Sequence, residues 1–234
     1  MANDILTELK EKLSRKNLEE STKSGKLTEA FEEIADILLN KVAIRKGDKE
    51  YWIKVIEFYL YNDEHKDIST YPRKCEAGQW FFHTSGVDIS FESYVKTNDN
   101  EYGLFQPILD KESFFGGILI RQIYPAGKRP EDAPKYRLDG PHKVEWELFD
   151  QFDAFKELQK LPYLIPREYT SKKIYKYKRI NLKPSRTTPQ QKLRSILQDN
   201  YSLNSIPKGV WNIPEEILLD AFNKYFEAEY RYTI

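Results

Sequence analysis

The chain has 234 residues, with 37 basic and 37 acidic side chains, a single cysteine and 14% aromatics. Formal neutrality excludes a global field that draws the protein to nucleic acid, and the aromatic surplus argues against disorder. Cys75 alone can form no intrachain disulfide and makes a cysteine-based metal site an unfavourable reading.

Helical spacing with mixed charge runs over residues 3–16, and the polar stretch Ser21-Thr22-Lys23-Ser24 with Gly25 breaks it. Thr28 is placed to cap a second helix to about residue 41, with Phe31, Ile34, Ile37, Leu38 and Leu39 on one face. Gly47-Asp48-Lys49 reads as a turn. From Tyr51 to Tyr59 both alternating sets are largely apolar, which suits a strand covered on both faces. Further strands are expected at Gln79–His83, Val87–Phe91 and Ile118–Ile123, the last led by Gly116-Gly117. Gly140-Pro141 turns the chain into a helix expected over Val144–Leu158.

Beyond residue 160 prolines punctuate the chain, and a basic-aromatic strand is expected at Lys172–Arg179, with helices at about 189–199 and 214–228. Residues 167–194 hold ten Lys/Arg against one acid, Glu168, so the remainder of the chain is net acidic. These patterns divide the chain into N-terminal helices (1–49), a core (50–160) and a basic C-terminal extension packed on that core (161–234). The fold class is α+β: a curved mixed or antiparallel sheet with flanking helices in a single domain. No apolar run approaches the length that spans a bilayer, and the N-terminus lacks the apolar stretch of a signal peptide. A cytoplasmic monomer with no membrane partner is expected.

Chemistry concentrates at Glu57-Phe58-Tyr59-Leu60, which ends the first strong strand, with His65 in the loop that follows. Glu57 and Tyr59 share one strand face. An acid there activates water or stabilises a cation, an aromatic stacks on a flat substrate and a histidine hydrogen-bonds it. Taken alone, a strand-end Glu is usually solvated or ion-paired, Tyr59 is a core residue and His65 an exposed one.

Several segments in one order resemble the alkyladenine (3-methyladenine) DNA glycosylase family over roughly residues 50–150. They are Glu57-Phe58-Tyr59-Leu60 with Glu64-His65-Lys66, then Thr70-Tyr71-Pro72-Arg73-Lys74, then Gly78-Gln79-Trp80-Phe81-Phe82-His83. Leu119-Ile120-Arg121-Gln122 and Gly140-Pro141-His142-Lys143 complete the series. The resemblance implies that fold and a monofunctional DNA glycosylase, which flips out a damaged or modified base and cleaves its glycosidic bond with water, without cofactor or metal. In that role Glu57 is the water-activating base and Arg121 orients the water or a phosphate. Tyr59, His65, Phe82, His83 and Asp88 lie around the base. Two departures stand out. Ser85 takes the place of the family's wedging tyrosine, and Asp88 lies nearest its guanine-excluding asparagine. They leave a bulky or hypermodified base, such as viral DNA carries, open beside an alkylated purine, and an antiviral role open beside repair.

DNA contacts are expected from Arg73, Lys172, Lys173, Lys176, Lys178 and Arg179, a run suited to phosphate tracking and base stacking and equally to a lysine-protected edge strand. Two other classes compete. His65, Asp67, His83 and Asp88 are candidate ligands for a metal-dependent hydrolase or nuclease, although no recognised ligand spacing is present. A nucleic-acid-binding module without catalysis is the third.

Overall fold

The structure is a computed structural model that describes residues 2–67, 69–98, 106–128, 138–150, 161–180, 224–225 and 227–234. It opens with α1 (Ala2–Lys12) and α2 (Arg15–Lys23). The single helix expected over 3–16 is thus two helices, because Leu13 and Leu18 are both buried yet five residues apart, off one helical stripe. The chain breaks at Ser14, whose hydroxyl accepts the Asn17 N–H at 3.4 Å and caps α2. The third helix, α3 (Leu27–Asp36), starts one residue before Thr28, so Thr28 is not its cap; it widens into a π turn, Ile37–Lys41.

β1 (Val42–Lys46) and β2 (Lys49–Tyr61) form a hairpin whose Gly47 takes φ 57°, the left-handed conformation that such a tight turn requires. β3 (Trp80–His83) and β4 (Gly86–Ser90) form a second hairpin. β5 (Lys96–Asn98) and β6 (Gln106–Ile108) pair apart from the rest. Then come β7 (Phe115–Pro125), β8 (Leu138–Asp139), α4 (Pro141–Leu148), β9 (Tyr163–Pro166), β10 (Tyr175–Tyr177) and β11 (Arg231–Thr233).

Nine strands make one curled antiparallel sheet, a half-barrel, in the order β10-β11-β2-β7-β4-β3. Thirteen-residue β2 is its spine. β7 lies along one side of it; on the other, β1 covers the first part and β11 the second. β9 extends the sheet beyond β1. Strands from both ends of the chain therefore complete the sheet, and the boundaries expected at 49 and 160 separate no independent units. Helix α4 starts three residues earlier than expected, at Pro141, and ends at Leu148, with Phe149 and Asp150 outside helical conformation; residues 151–158 and nearly all of the helices expected at 189–199 and 214–228 lie outside the described residues. The strand expected at Lys172–Arg179 contracts to Tyr175–Tyr177. No helix among the described residues is long and apolar enough to cross a membrane.

One sheet face is the core. Ile56, Phe58 and Leu60 of β2, Ile118 and Ile120 of β7, Ile89 of β4 and Tyr232 of β11 pack there against Phe31, Ile34 and Leu38. Phe31 stacks on Phe58 with centroids 4.4 Å apart. Upstream, the inward residues are Tyr51 and Ile53, opposite Ile123, so the inward spacing becomes three on both β2 and β7. The ladder is irregular at that point, and the shift keeps one continuous apolar face through the bend. The opposite face carries charge.

Candidate active site

Directly paired residues of an antiparallel sheet point to the same side. The register sets Tyr177, Arg231, Glu57, Leu119, Asp88 and Phe81 in one row across six strands, on the face away from the core. Glu57 and Asp88 thus stand two strand spacings apart, about 10 Å, and both are buried.

Glu57 is fully enclosed. Its Oε2 accepts the Tyr59 hydroxyl at 2.9 Å and Arg121 Nη1 at 3.0 Å; its Oε1 accepts the Ile180 backbone N–H at 3.1 Å. Arg231 lies beyond, 3.8 Å from Oε1. Burial raises the Tyr59 hydroxyl well above the usual phenol range, and the Glu57 charge raises it further, so Tyr59 is held as a donor. Glu57 and Tyr59, on one strand face, are thus brought together with Arg121.

A second layer lies behind them. The Arg179 guanidinium sits 4.5 Å from the centre of the Tyr59 ring and bonds Asp67 Oδ2 at 2.6 Å, Phe58 O at 3.1 Å and Tyr225 O at 2.5 Å. Burial works against its charge, but Asp67 and Tyr59 outweigh that and raise its pKa. His65 is buried, with Nδ1 at 2.8 Å from Leu60 O and Nε2 at 3.0 Å from the Tyr230 hydroxyl. A carbonyl only accepts, so Nδ1 donates and Nε2 of the neutral ring accepts from Tyr230. Burial lowers the His65 pKa, with Asp67 opposing in part. The ring lies 4.4 Å from that of Tyr225. His65 thus belongs to the layer behind Glu57 rather than lying free beside it.

The third cluster sits on the β3–β4 hairpin. Asp88 accepts His83 Nε2 at 2.9 Å and pairs with Arg73 Nη2 at 2.7 Å. Burial pushes the Asp88 carboxyl up, but His83 and Arg73 outweigh it and hold it below the usual carboxylate range. His83 Nδ1 accepts the Ser85 N–H at 3.2 Å, and Tyr71 stacks on its ring at 4.3 Å. The Tyr71 hydroxyl meets Thr84 and Ser85 at the hairpin tip, at 2.7 and 3.2 Å. The paired glycines of β7 explain why Arg73 can lie flat on the sheet: a Cβ on Gly117 would stand 2.6 Å from Arg73 Nη1. At the tip, a Cβ on Gly86 would stand 2.7 Å from the Pro141 Cβ, so Gly140-Pro141 closes against the hairpin. Segments scattered between residues 57 and 141 thereby converge.

Three expectations need correction. Phe82 alternates with Phe81 and His83 and so points to the other side, 4.7 Å from the Phe149 ring and half-exposed. Arg73 and Arg179, expected on DNA, are buried and ion-paired. Lys176 and Lys178 stay at the surface, in exposed pairs with Glu32 and Glu227 at 2.5 and 2.6 Å. The metal set is dispersed: Asp67 is engaged by Arg179 and Asp88 by Arg73 and His83. Among the described residues no group of three or more His, Cys, Asp and Glu is placed to hold a metal ion. Sequence reading overlooked Arg231, Tyr230 and Tyr71; the Arg231-Tyr232-Thr233 alternation is the one pattern that points to a strand there. Comparison of the chain with protein-family models, with curated proteins and with solved structures found no match.

Proposed function

We propose that the charged face of the half-barrel is the active site of a monofunctional DNA glycosylase that hydrolyses the N-glycosidic bond of a damaged or modified base. The observation that carries this reading is the Glu57 carboxylate, central on that face with Tyr59 and Arg121 directed at it. In the reaction the C1′–N bond breaks with its electron pair leaving on the base, and a cationic sugar develops. Glu57 opposes that charge and takes the proton of the water that adds at C1′. Arg121 and Tyr59 fix the carboxylate meanwhile. Because Glu57 is enclosed, productive binding requires Ile180 and Arg179 to withdraw from Glu57 and Tyr59.

The same enclosure favours a second reading, in which the ion pairs only hold the sheet and Glu57 does no chemistry, which leaves the nucleic-acid-binding module as the alternative. Incubation with a panel of alkylated, deaminated and hypermodified DNAs, with mass spectrometry of released base, separates the two. Release of one base class, unaffected by chelator, supports the glycosylase. DNA binding with every base retained supports the binding module, and chelator-sensitive strand cleavage indicates the metal hydrolase.

A further inference from the structure

Beta-strand β2 changes neighbours between Tyr51, where β1 last pairs, and Val55, where β11 takes over. Trp52 and Lys54, which alternate with the core residues Tyr51 and Ile53, stand at this fork. Three cations gather on the Trp52 ring: Arg167 Cζ at 5.2 Å, Lys54 Nζ at 5.4 Å and Lys172 Nζ at 5.9 Å from its centroid. No carboxylate of the described residues lies within ion-pair distance of any of them.

The arrangement is built. The π turn at the end of α3 leaves carbonyls without helical partners; Leu39 O accepts Arg167 Nη2, and Lys41 O accepts the Arg167 N–H at 2.9 Å. Buried Asn40 clamps the backbone of Lys172, bonding its N–H at 3.3 Å and its carbonyl at 3.1 Å. Arg167 Nε is buried without a hydrogen-bond partner. Burial, then the charges of Lys172 and Arg167, lower the Lys54 ammonium to about 8. Like charges held together by the backbone, with a donor left over, are an unfilled demand for an anion. Trp52 stabilises the cations but supplies no negative charge.

We infer that Lys54, Arg167 and Lys172 form a phosphate-binding site on the rim of the sheet. The Arg167 guanidinium donors that Leu39 O does not take, with two lysine ammoniums, are more than a single carboxylate can satisfy and match the several oxygens of a phosphate. The phosphate comes either from a DNA backbone or from a free phosphorylated compound. Lys54 stands three residues, about 10 Å, along β2 from Glu57, and the site does not depend on the assignment of Glu57.

Inorganic pyrophosphate and an unmodified DNA duplex are the probes, titrated separately into the full chain at low salt and then in competition. Wild type is expected to bind, and Lys54→Gln/Lys172→Gln to bind at least tenfold more weakly. Displacement of pyrophosphate by the duplex assigns the site to the DNA backbone; no displacement assigns it to a free phosphate compound. In wild-type protein at pH 8, acylation of Lys54, read by peptide mass spectrometry, is expected to slow several-fold when the bound probe is present. Binding of neither probe, binding that the double variant retains, or an unprotected Lys54 would overturn the site.

Discussion

At the level of single residues, the charged face depends on absences as much as on charges. Gly117 leaves room for the Arg73 guanidinium beside Asp88. Gly117→Ala is expected to push Arg73 off the sheet and strand Asp88 with His83 alone. Breaking a buried pair costs about 3 kcal/mol or more, readable as a lower urea midpoint; an unchanged midpoint would show that the pair is dispensable. His65 makes a pH prediction. Its folded-state pKa lies below the ordinary value of about 6.5, so the native protein binds fewer protons than the unfolded chain once pH falls below that value. Stability contributed by neutral His65 is complete above about 6.5 and is lost as pH drops toward the folded pKa. The urea midpoint should fall between pH 7 and 5, and His65→Gln should flatten that part of the profile. A wild-type midpoint that holds or rises there contradicts the neutral, Tyr230-bonded ring.

Among the elements, the apolar and aromatic strands were legible, and the short strands β9 and β11 were not. β2 and β7 announce themselves by β-branched and aromatic runs, and β3 and β4 by a compact hairpin. β9 and β11 have four and three residues and pair with partners remote in sequence, so no local periodicity marks them, while β10 was expected as the longer run Lys172–Arg179 and keeps three residues of it. The same holds within the site. Glu57 and Tyr59 share a face by alternation, and Phe82 departs from the pocket by the same rule. The partners that enclose Glu57 — Arg179, Ile180 and Arg231 — come from segments whose placement only the sheet topology determines. β11 is therefore expected to be structural as well as terminal: it sets Tyr232 against Phe58, with ring centroids 5.2 Å apart, and Arg231 beside Glu57. Truncation after Glu229 should speed hydrogen exchange in β2 from Val55 to Phe58 and leave Tyr51–Ile53, paired with β7 and next to β1, protected. Uniform protection along β2 would contradict this division of the spine.

The whole molecule is a two-faced sheet. Helices cover the apolar face, and the other face holds carboxylates that are buried, paired and separated by one strand. Formal neutrality conceals this segregation, and it also conceals how the cations are matched: among the described residues acids pair with Lys176 and Lys178, and none pairs with Lys54, Arg167 or Lys172. The measurement that bears most directly on the proposed chemistry is single-turnover base release by wild type and by Glu57→Gln. It uses the DNA that the substrate panel identifies, with DNA affinity and the circular dichroism spectrum recorded for both proteins. Glutamine keeps the shape but cannot take the proton or oppose the cation. The expected result is release slowed by roughly two orders of magnitude or more, with affinity and fold retained. Release at the wild-type rate by a folded, DNA-binding Glu57→Gln protein would contradict the assignment of Glu57 as the residue that activates water.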